Sequence, residues 1–157
     1  TILREVEAAA EILEKDYQVA ADVWSLTSVN QLQREGKAAL RWNMLHPGEE
    51  PRRGFIERQL TMTEGPIIAA TDYIRLYSEQ VRPYLPHSRE FRTLGTDGWG
   101  RSDGREKLRQ FFEVHRNNIC VAALSVLAED GAIDSEQVTR AIKKYGLAAE
   151  LEAPRHR

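Results

Sequence analysis

The stretch that decides the fold is Phe91 to Gly104, with the sequence FRTLGTDGWGRSDG. Its first four residues have the apolar and β-branched character of a short strand, and the glycine-rich loop Gly95–Gly104 follows them directly. Asp103 and Glu106 have the spacing of a capping box, which predicts a helix after the loop. A strand, a loop at its carboxyl end and a helix form the repeating unit of α/β proteins.

The residues upstream extend this pattern. The compact apolar run Ile67–Ala70 predicts a second strand, and the β-type run Ala21–Leu26 predicts a third, buried one. Apolar spacing and capping residues predict helices at Thr1–Tyr17, from Thr27 to Trp42, at Phe55–Leu60, Asp72–Tyr84 and Asn117–Ala128, and from Asp134 to near Tyr145.

The alternation of these elements predicts an α/β fold with a small, mostly parallel sheet flanked by helices. An open parallel sheet normally begins and ends on strands. We therefore expect one more strand before Thr1, so that the domain's first strand is missing from this sequence. The predicted organisation is a single domain over residues 1–146 followed by a tail at 147–157.

Composition excludes several classes of protein. The chain has 157 residues, of which 41% are hydrophobic and 29% are charged, with a net charge of −2. A near-neutral balance argues against nucleic acid or a membrane as a partner, and no apolar run is long enough to predict a membrane span. Cys120 is the only cysteine, so a reducing, cytoplasmic setting is expected and an internal disulfide is excluded.

The glycine-rich loop is the strongest candidate for a functional segment, because ligands of open α/β sheets bind at the carboxyl ends of strands. Gly98, Gly100 and Gly104 miss the dinucleotide fingerprint by one residue, and no lysine completes a phosphate loop. Three interpretations stay open: a phosphate site, a tight turn linked by its own polar side chains, and an interface loop. As interface candidates we select Asp97, Trp99, Arg101 and Asp103.

No other group of residues predicts catalysis or metal binding. The four histidines lack neighbours at metal-ligand spacing, and Cys120 lies in an apolar helix where a small core residue is expected. The carboxylates of the first helix, Glu5, Glu7, Glu11 and Glu14, are interpreted as a solvated face. The sequence therefore predicts no catalytic, cofactor-binding or metal-binding residue.

Several stretches nevertheless resemble one family in order and with compatible spacing from Thr1 to about Tyr145. They are Ile2–Val6 with Ala9 and Ala10, Ala21–Ser28, Arg41–Pro47 (RWNMLHP), Ala70–Tyr73, Leu94–Gly98, Gly100–Asp103 and Phe112–Val114. Together they resemble the transketolase-like C-terminal domain of the homodimeric, thiamine diphosphate-dependent pyruvate dehydrogenases, the first component of the bacterial complex.

The resemblance implies where the chemistry lies. In that family thiamine diphosphate and Mg²⁺ are held by two upstream domains, and the G-D-G cofactor motif does not occur here. The third domain begins with a strand just before the position of Thr1. Because the family's cofactors are held by the two upstream domains, the resemblance implies that this domain holds no cofactor and that the fragment alone is inactive.

The expected role follows from the family. The parent enzyme would be an oxidoreductase that decarboxylates pyruvate and acetylates the lipoyl group of dihydrolipoyl acetyltransferase. This chain would be its dimer-supporting domain, contacting the other domains and the second subunit. Two alternatives stay open: a docking module for the acetyltransferase's peripheral-subunit-binding domain, and a stand-alone small α/β enzyme that shares only the fold.

Overall fold

The computed structural model describes residues 1–156 and contains two strands and seven α-helices within that range. The strands are β1 (Ile67–Ala70) and β2 (Phe91–Leu94). The helices are α1 (Leu3–Tyr17), α2 (Val29–Leu45), α3 (Phe55–Leu60), α4 (Arg75–Glu79), α5 (Arg105–Phe111), α6 (Arg116–Glu129) and α7 (Ser135–Lys144), with 3₁₀ turns at Arg82–Tyr84 and Pro154–His156.

The two strands form a parallel sheet with a regular register. Ile67 lies opposite Phe91, and the pairing continues to Ala70 opposite Leu94. Both strands begin and end where their apolar runs predict, and the small α/β fold with a parallel sheet and flanking helices is confirmed. Parallel strands require a crossover connection, which α4 and the 3₁₀ turn supply.

One face of the sheet is covered by α1, α6 and α7. Alternate strand side chains, including Ile68 and Leu94, pack on this side against a buried cluster. The buried members are Ala9, Leu13, Ile119, Cys120, Ala123, Leu124 and Ala141. Helix α6 lies at the centre of this layer, since it contacts α1, α7 and β1.

The other face is covered by α2, α3 and the 3₁₀ turn. Its buried cluster comprises Val29, Ile56, Leu60, Val81, Tyr84, Leu85 and Phe91. Gly36 permits a close approach in this layer, because a Cβ added there would overlap the Tyr84 ring. Glycine at this helical position therefore lets α2 pack directly on the aromatic ring.

The predicted strand at Ala21–Leu26 is wrong. The segment has no regular secondary structure, and its residues are exposed, with Val23 at 40% and Trp24 at 51%. Strand propensity is realised only when a neighbouring strand supplies hydrogen bonds, and within residues 1–156 β1 pairs only with β2. The segment instead connects α1 on one face of the sheet to α2 on the other.

Two helix predictions also need correction. The helix predicted at Asp72–Tyr84 is confined to Arg75–Glu79, and a separate 3₁₀ turn contains Pro83, whose ring is incompatible with a continuing α-helix. Helix α5 begins at Arg105 with Gly104 as its N-cap, so Asp103 does not occupy the capping position that the sequence predicts.

No helix within residues 1–156 combines the length and apolar character needed to cross a bilayer.

Candidate functional site

The candidate site lies where the carboxyl ends of both strands meet, as the sequence predicts for a loop that follows β2. The loop Gly95–Gly104, called the Trp99 loop below, packs against the segment after β1, and the Thr96 amide donates a hydrogen bond to the Tyr73 carbonyl at 2.8 Å. A Cβ on Gly95 would lie 2.7 Å from both the Tyr73 carbonyl oxygen and the Arg75 amide nitrogen. Only glycine permits this contact between the two backbones.

Asp97 fixes the base of the Trp99 loop. Its Oδ1 accepts a hydrogen bond from the Arg75 amide at 2.9 Å, and its Oδ2 pairs with the Arg75 guanidinium. Gly98 follows with a φ of 103°, a conformation that favours glycine. Asp97 therefore links the loop to α4.

Trp99 and Arg101 are brought together at the rim of a cavity of about 300 Å³. The Trp99 side chain is 90% exposed. The Arg101 guanidinium lies 4.2 Å above the centre of the Phe111 ring, a cation–π contact that holds it beside α5. Of the four interface candidates, these two line the cavity, whereas Asp97 and Asp103 do not.

Asp103 lies just before α5 and contacts its first residues. Its Oδ1 accepts a hydrogen bond from the Gly104 amide at 2.7 Å and lies 4.0 Å from the Lys107 ammonium. An acidic side chain beside the first turn of a helix interacts favourably with the helix dipole. The local contacts of Asp103 thus account for its presence in the loop.

A buried arginine is among the residues that line the cavity. Arg109 is only 8% exposed, and its guanidinium pairs with Glu5 at 3.2 Å and with Asp72 at 3.1 Å. These three residues come from α5, α1 and the segment after β1. The pairing connects three elements directly beneath the Trp99 loop.

Glu5 has a second set of partners at the start of α6. Its Oε2 accepts a hydrogen bond from the Arg116 amide at 3.1 Å and lies 2.9 Å from Nε of the same residue and 3.8 Å from Nε2 of His115. Burial raises the pKa of the Glu5 carboxyl, but the hydrogen bonds and charges of Arg116 and His115 together hold it below its ordinary value. Glu5 is therefore an ionised carboxylate inside the domain.

The prediction that Glu5 belongs to a solvated face is wrong, and the buried ion network was not predicted. The sequence does contain a signal for the burial of Glu5, because Ala9 and Leu13 follow it at intervals of four and all three are buried. Glu7, Glu11 and Glu14 are exposed as expected. Arg109 and Arg116 offer no comparable signal, since arginine is common on exposed helix faces.

The remaining candidates take structural positions. Cys120 is fully buried, as predicted, and burial raises the pKa of its thiol to about 11, which keeps it protonated at neutral pH. His46 stacks on Trp42 with 4.4 Å between ring centres. Within residues 1–156 there is no group of three or more histidine, cysteine, aspartate or glutamate side chains placed to hold a metal ion.

This arrangement is suited to binding a partner surface. The buried charges are paired with each other, so they hold the site's geometry. The Trp99 side chain is exposed, and the exposed Arg101 and Arg105 line the same cavity. An exposed tryptophan beside guanidinium groups is typical of residues that contribute strongly to protein interfaces.

A family model and individual relatives both match this chain. A family model described as Transketolase-like TK C-terminal domain matches residues 1–115. The chain is 52% identical over 154 residues to the pyruvate dehydrogenase E1 component of Pseudomonas aeruginosa, covering 98% of this chain and 17% of that protein. It is 50% identical over 155 residues to the protein of the same name from Escherichia coli K12, covering 99% of this chain and 17% of that protein.

A third relative, the pyruvate dehydrogenase E1 component of Cupriavidus necator, is 52% identical over 147 residues, covering 94% of this chain and 16% of that protein. The chain therefore spans about a sixth of the length of the curated relatives it matches.

Proposed function

The chain belongs to the transketolase-like C-terminal domain family, and from that premise we propose that it forms the C-terminal structural domain of a pyruvate dehydrogenase. The parent enzyme would decarboxylate pyruvate on thiamine diphosphate in the cytoplasm and acetylate the lipoyl group of dihydrolipoyl acetyltransferase. In this role the domain supports the dimer and contributes no catalytic residue.

The observation that carries the proposal is the extent of the match. Identity of 50–52% extends over 98–99% of this chain in the Pseudomonas and Escherichia proteins, both of which are pyruvate dehydrogenase E1 components. The same match covers only 17% of each of those proteins. The proposal accordingly places thiamine diphosphate and Mg²⁺ in the other domains of the parent enzyme.

The geometry at the strand ends supports an interface role. Asp97 and the buried Glu5–Arg109 pair fix the base of the Trp99 loop, while the Trp99 side chain is left 90% exposed. A large apolar side chain held outward on a rigid base can be buried by a neighbouring domain or subunit with little loss of conformational entropy. We therefore assign the Trp99 loop to a contact inside the parent homodimer.

The experiment that tests the proposal is a chimera. This chain replaces the matching region of the Pseudomonas aeruginosa pyruvate dehydrogenase E1 component. Oligomeric state is then measured by sedimentation, and pyruvate decarboxylation by product release. We expect a thiamine diphosphate-dependent enzyme with the oligomeric state of the unmodified protein. The matched control is the same enzyme with that region deleted, which should neither assemble nor turn over pyruvate.

Two results would contradict the proposal. The first is a folded chimera that assembles no better than the deletion control. The second concerns the chain on its own: if it bound thiamine diphosphate by titration calorimetry or consumed pyruvate, the chemistry would not be confined to other domains.

A further inference from the structure

We propose that the cavity beneath the Trp99 loop binds an acidic segment of polypeptide, with an apolar side chain entering the cavity and an adjacent carboxylate pairing with Arg105. The inference rests on the proposed function in that it treats the Trp99 loop as an interface. It goes further by stating the chemistry of the segment that the loop receives.

The cavity has an apolar floor. Leu108, which is half-buried, and Phe112, which is 8% exposed, present apolar surface to the cavity, and the neighbouring Val114 is fully buried. Gly98 and Gly100 in the wall carry no side chains that would fill the space. A volume of about 300 Å³ is sufficient for one or two side chains of ordinary size.

The rim of the cavity carries positive charge. Arg105 is exposed and forms no ion pair with any residue in the range 1–156, whereas the acidic group at the rim, Asp72, is already paired with Arg109. Arg101 brings a second guanidinium to the rim over Phe111. A guanidinium binds a carboxylate through two parallel hydrogen bonds, so the rim is complementary to an aspartate or glutamate side chain.

Trp99 is the reason to expect polypeptide and not a small anion. An inorganic anion would neutralise Arg105 but would leave the indole, 90% exposed, in water. A peptide segment can cover the indole, fill the apolar floor and present a carboxylate at the same time. Burying an aromatic ring of this size contributes strongly to association.

The test is an NMR titration of the complete 157-residue chain with a blocked tripeptide, glutamate–leucine–glutamate. The matched control peptide replaces both glutamates by glutamine. We expect the Trp99 indole resonance and the amides at the start of α5 to shift saturably, with affinity at least about tenfold higher for the acidic peptide. Absence of a saturable shift up to roughly 10 mM, or equal shifts with the glutamine peptide, would overturn the proposal.

Variants of α5 separate specific pairing from general attraction of charge. Arg105→Gln should weaken binding of the acidic peptide by at least about tenfold. Lys107→Gln removes a cation of the same helix that lies beside Asp103, and binding should be unchanged. Equal loss in both variants would mean that net charge and not the cavity attracts the peptide, which contradicts the proposal. An unchanged spread of amide chemical shifts in each variant verifies that the fold is intact.

Inorganic phosphate provides a second arm. We expect it to perturb resonances near Arg105 without a saturable change at the Trp99 indole. If phosphate alone moved both sets of resonances and bound more tightly than the acidic peptide, the cavity would be a small-anion site, and the proposal would be wrong.

The titration is independent of the chimera. If the peptide binds and the chimera does not assemble, the cavity stands as an acidic-segment site and the assignment to pyruvate dehydrogenase fails. If the chimera assembles and the peptide does not bind, only the present inference fails.

Discussion

Helices α6 and α2 differ in how many of their residues are buried against the rest of the domain. In α6, five of 14 residues are buried, and the helix contacts α1, α7 and β1. In α2, two of 17 residues are buried, and its carboxyl half leaves Leu40, Met44 and Leu45 exposed. The comparison shows that α6 is buried along much of its length, while α2 is held by a few close contacts. Substitutions in the two helices should therefore have unequal effects on stability.

The largest effect is expected at the centre of α6. Leu124 is fully buried, so Leu124→Ala would remove apolar contacts and leave a cavity that α1 and α7 cannot fill. We expect a loss of about 3 kcal/mol in the free energy of unfolding, measured by urea denaturation. The matched control on α2 is Leu40→Ala, whose side chain is 52% exposed and whose loss should cost about 0.5 kcal/mol or less. Equal losses at both positions would break the comparison.

The next effect concerns the ion network beneath the Trp99 loop. Glu5→Gln would leave the buried Arg109 with Asp72 alone and would remove the charge that Arg116 faces. We expect a loss of about 2 kcal/mol, because a buried guanidinium would be left partly unpaired. Glu7→Gln, two residues further along α1 and exposed, is the control and should leave the unfolding free energy almost unchanged. A neutral result at Glu5 would mean that the network contributes no stability.

A smaller effect is expected where α2 does pack closely. Gly36→Ala would place a methyl group in overlap with the Tyr84 ring, which must then move. The helix gains about 1 kcal/mol in propensity from alanine, while overpacking costs about 1–3 kcal/mol, so we expect a net loss of about 1 kcal/mol by urea denaturation. Lys37→Ala on the adjacent exposed position should be neutral or slightly stabilising. A gain in stability at Gly36 would show that the Tyr84 contact is loose.

The smallest effect is a dependence on pH. The pKa of Glu5 lies below its ordinary value of 4.5 in the folded chain, so its carboxylate contributes stability in full above that value. That contribution is lost as the pH falls through the lower, folded pKa. Unfolding free energies measured between about pH 6 and about pH 3 should therefore fall more steeply for the unmodified chain than for Glu5→Gln. Parallel profiles would contradict the assignment of an ionised, buried Glu5.

The sequence predicts the bounds of a strand or helix well where the residues of that segment and its immediate neighbours determine them. The strands Ile67–Ala70 and Phe91–Leu94 and the helix Phe55–Leu60 have their predicted bounds, because a glycine or proline next to each segment limits where it can begin or end. The strand expected at Ala21–Leu26 is wrong because pairing depends on a neighbouring strand and not on the segment's own residues.

The site could be predicted only in part, for a similar reason. The position of the glycine-rich loop at the end of β2 follows from the order of elements. Two of the residues selected from the sequence, Trp99 and Arg101, line the same cavity. The buried pairing of Glu5 with Arg109 joins residues 104 positions apart, which no local pattern reveals. Similarly, apolar residues occur in both α2 and α6, but the pattern alone does not say that Leu40 is exposed while Leu124 is buried.

The most direct test of the central claim is amide hydrogen exchange, measured on the chain alone and on the chimera with the Pseudomonas aeruginosa protein. If the chain is an interface domain of a pyruvate dehydrogenase, amides of residues 95–104 should exchange at least about tenfold more slowly in the chimera, while those of α6 remain unchanged. Equal exchange of residues 95–104 in the chain and in an assembled, active chimera would contradict the account.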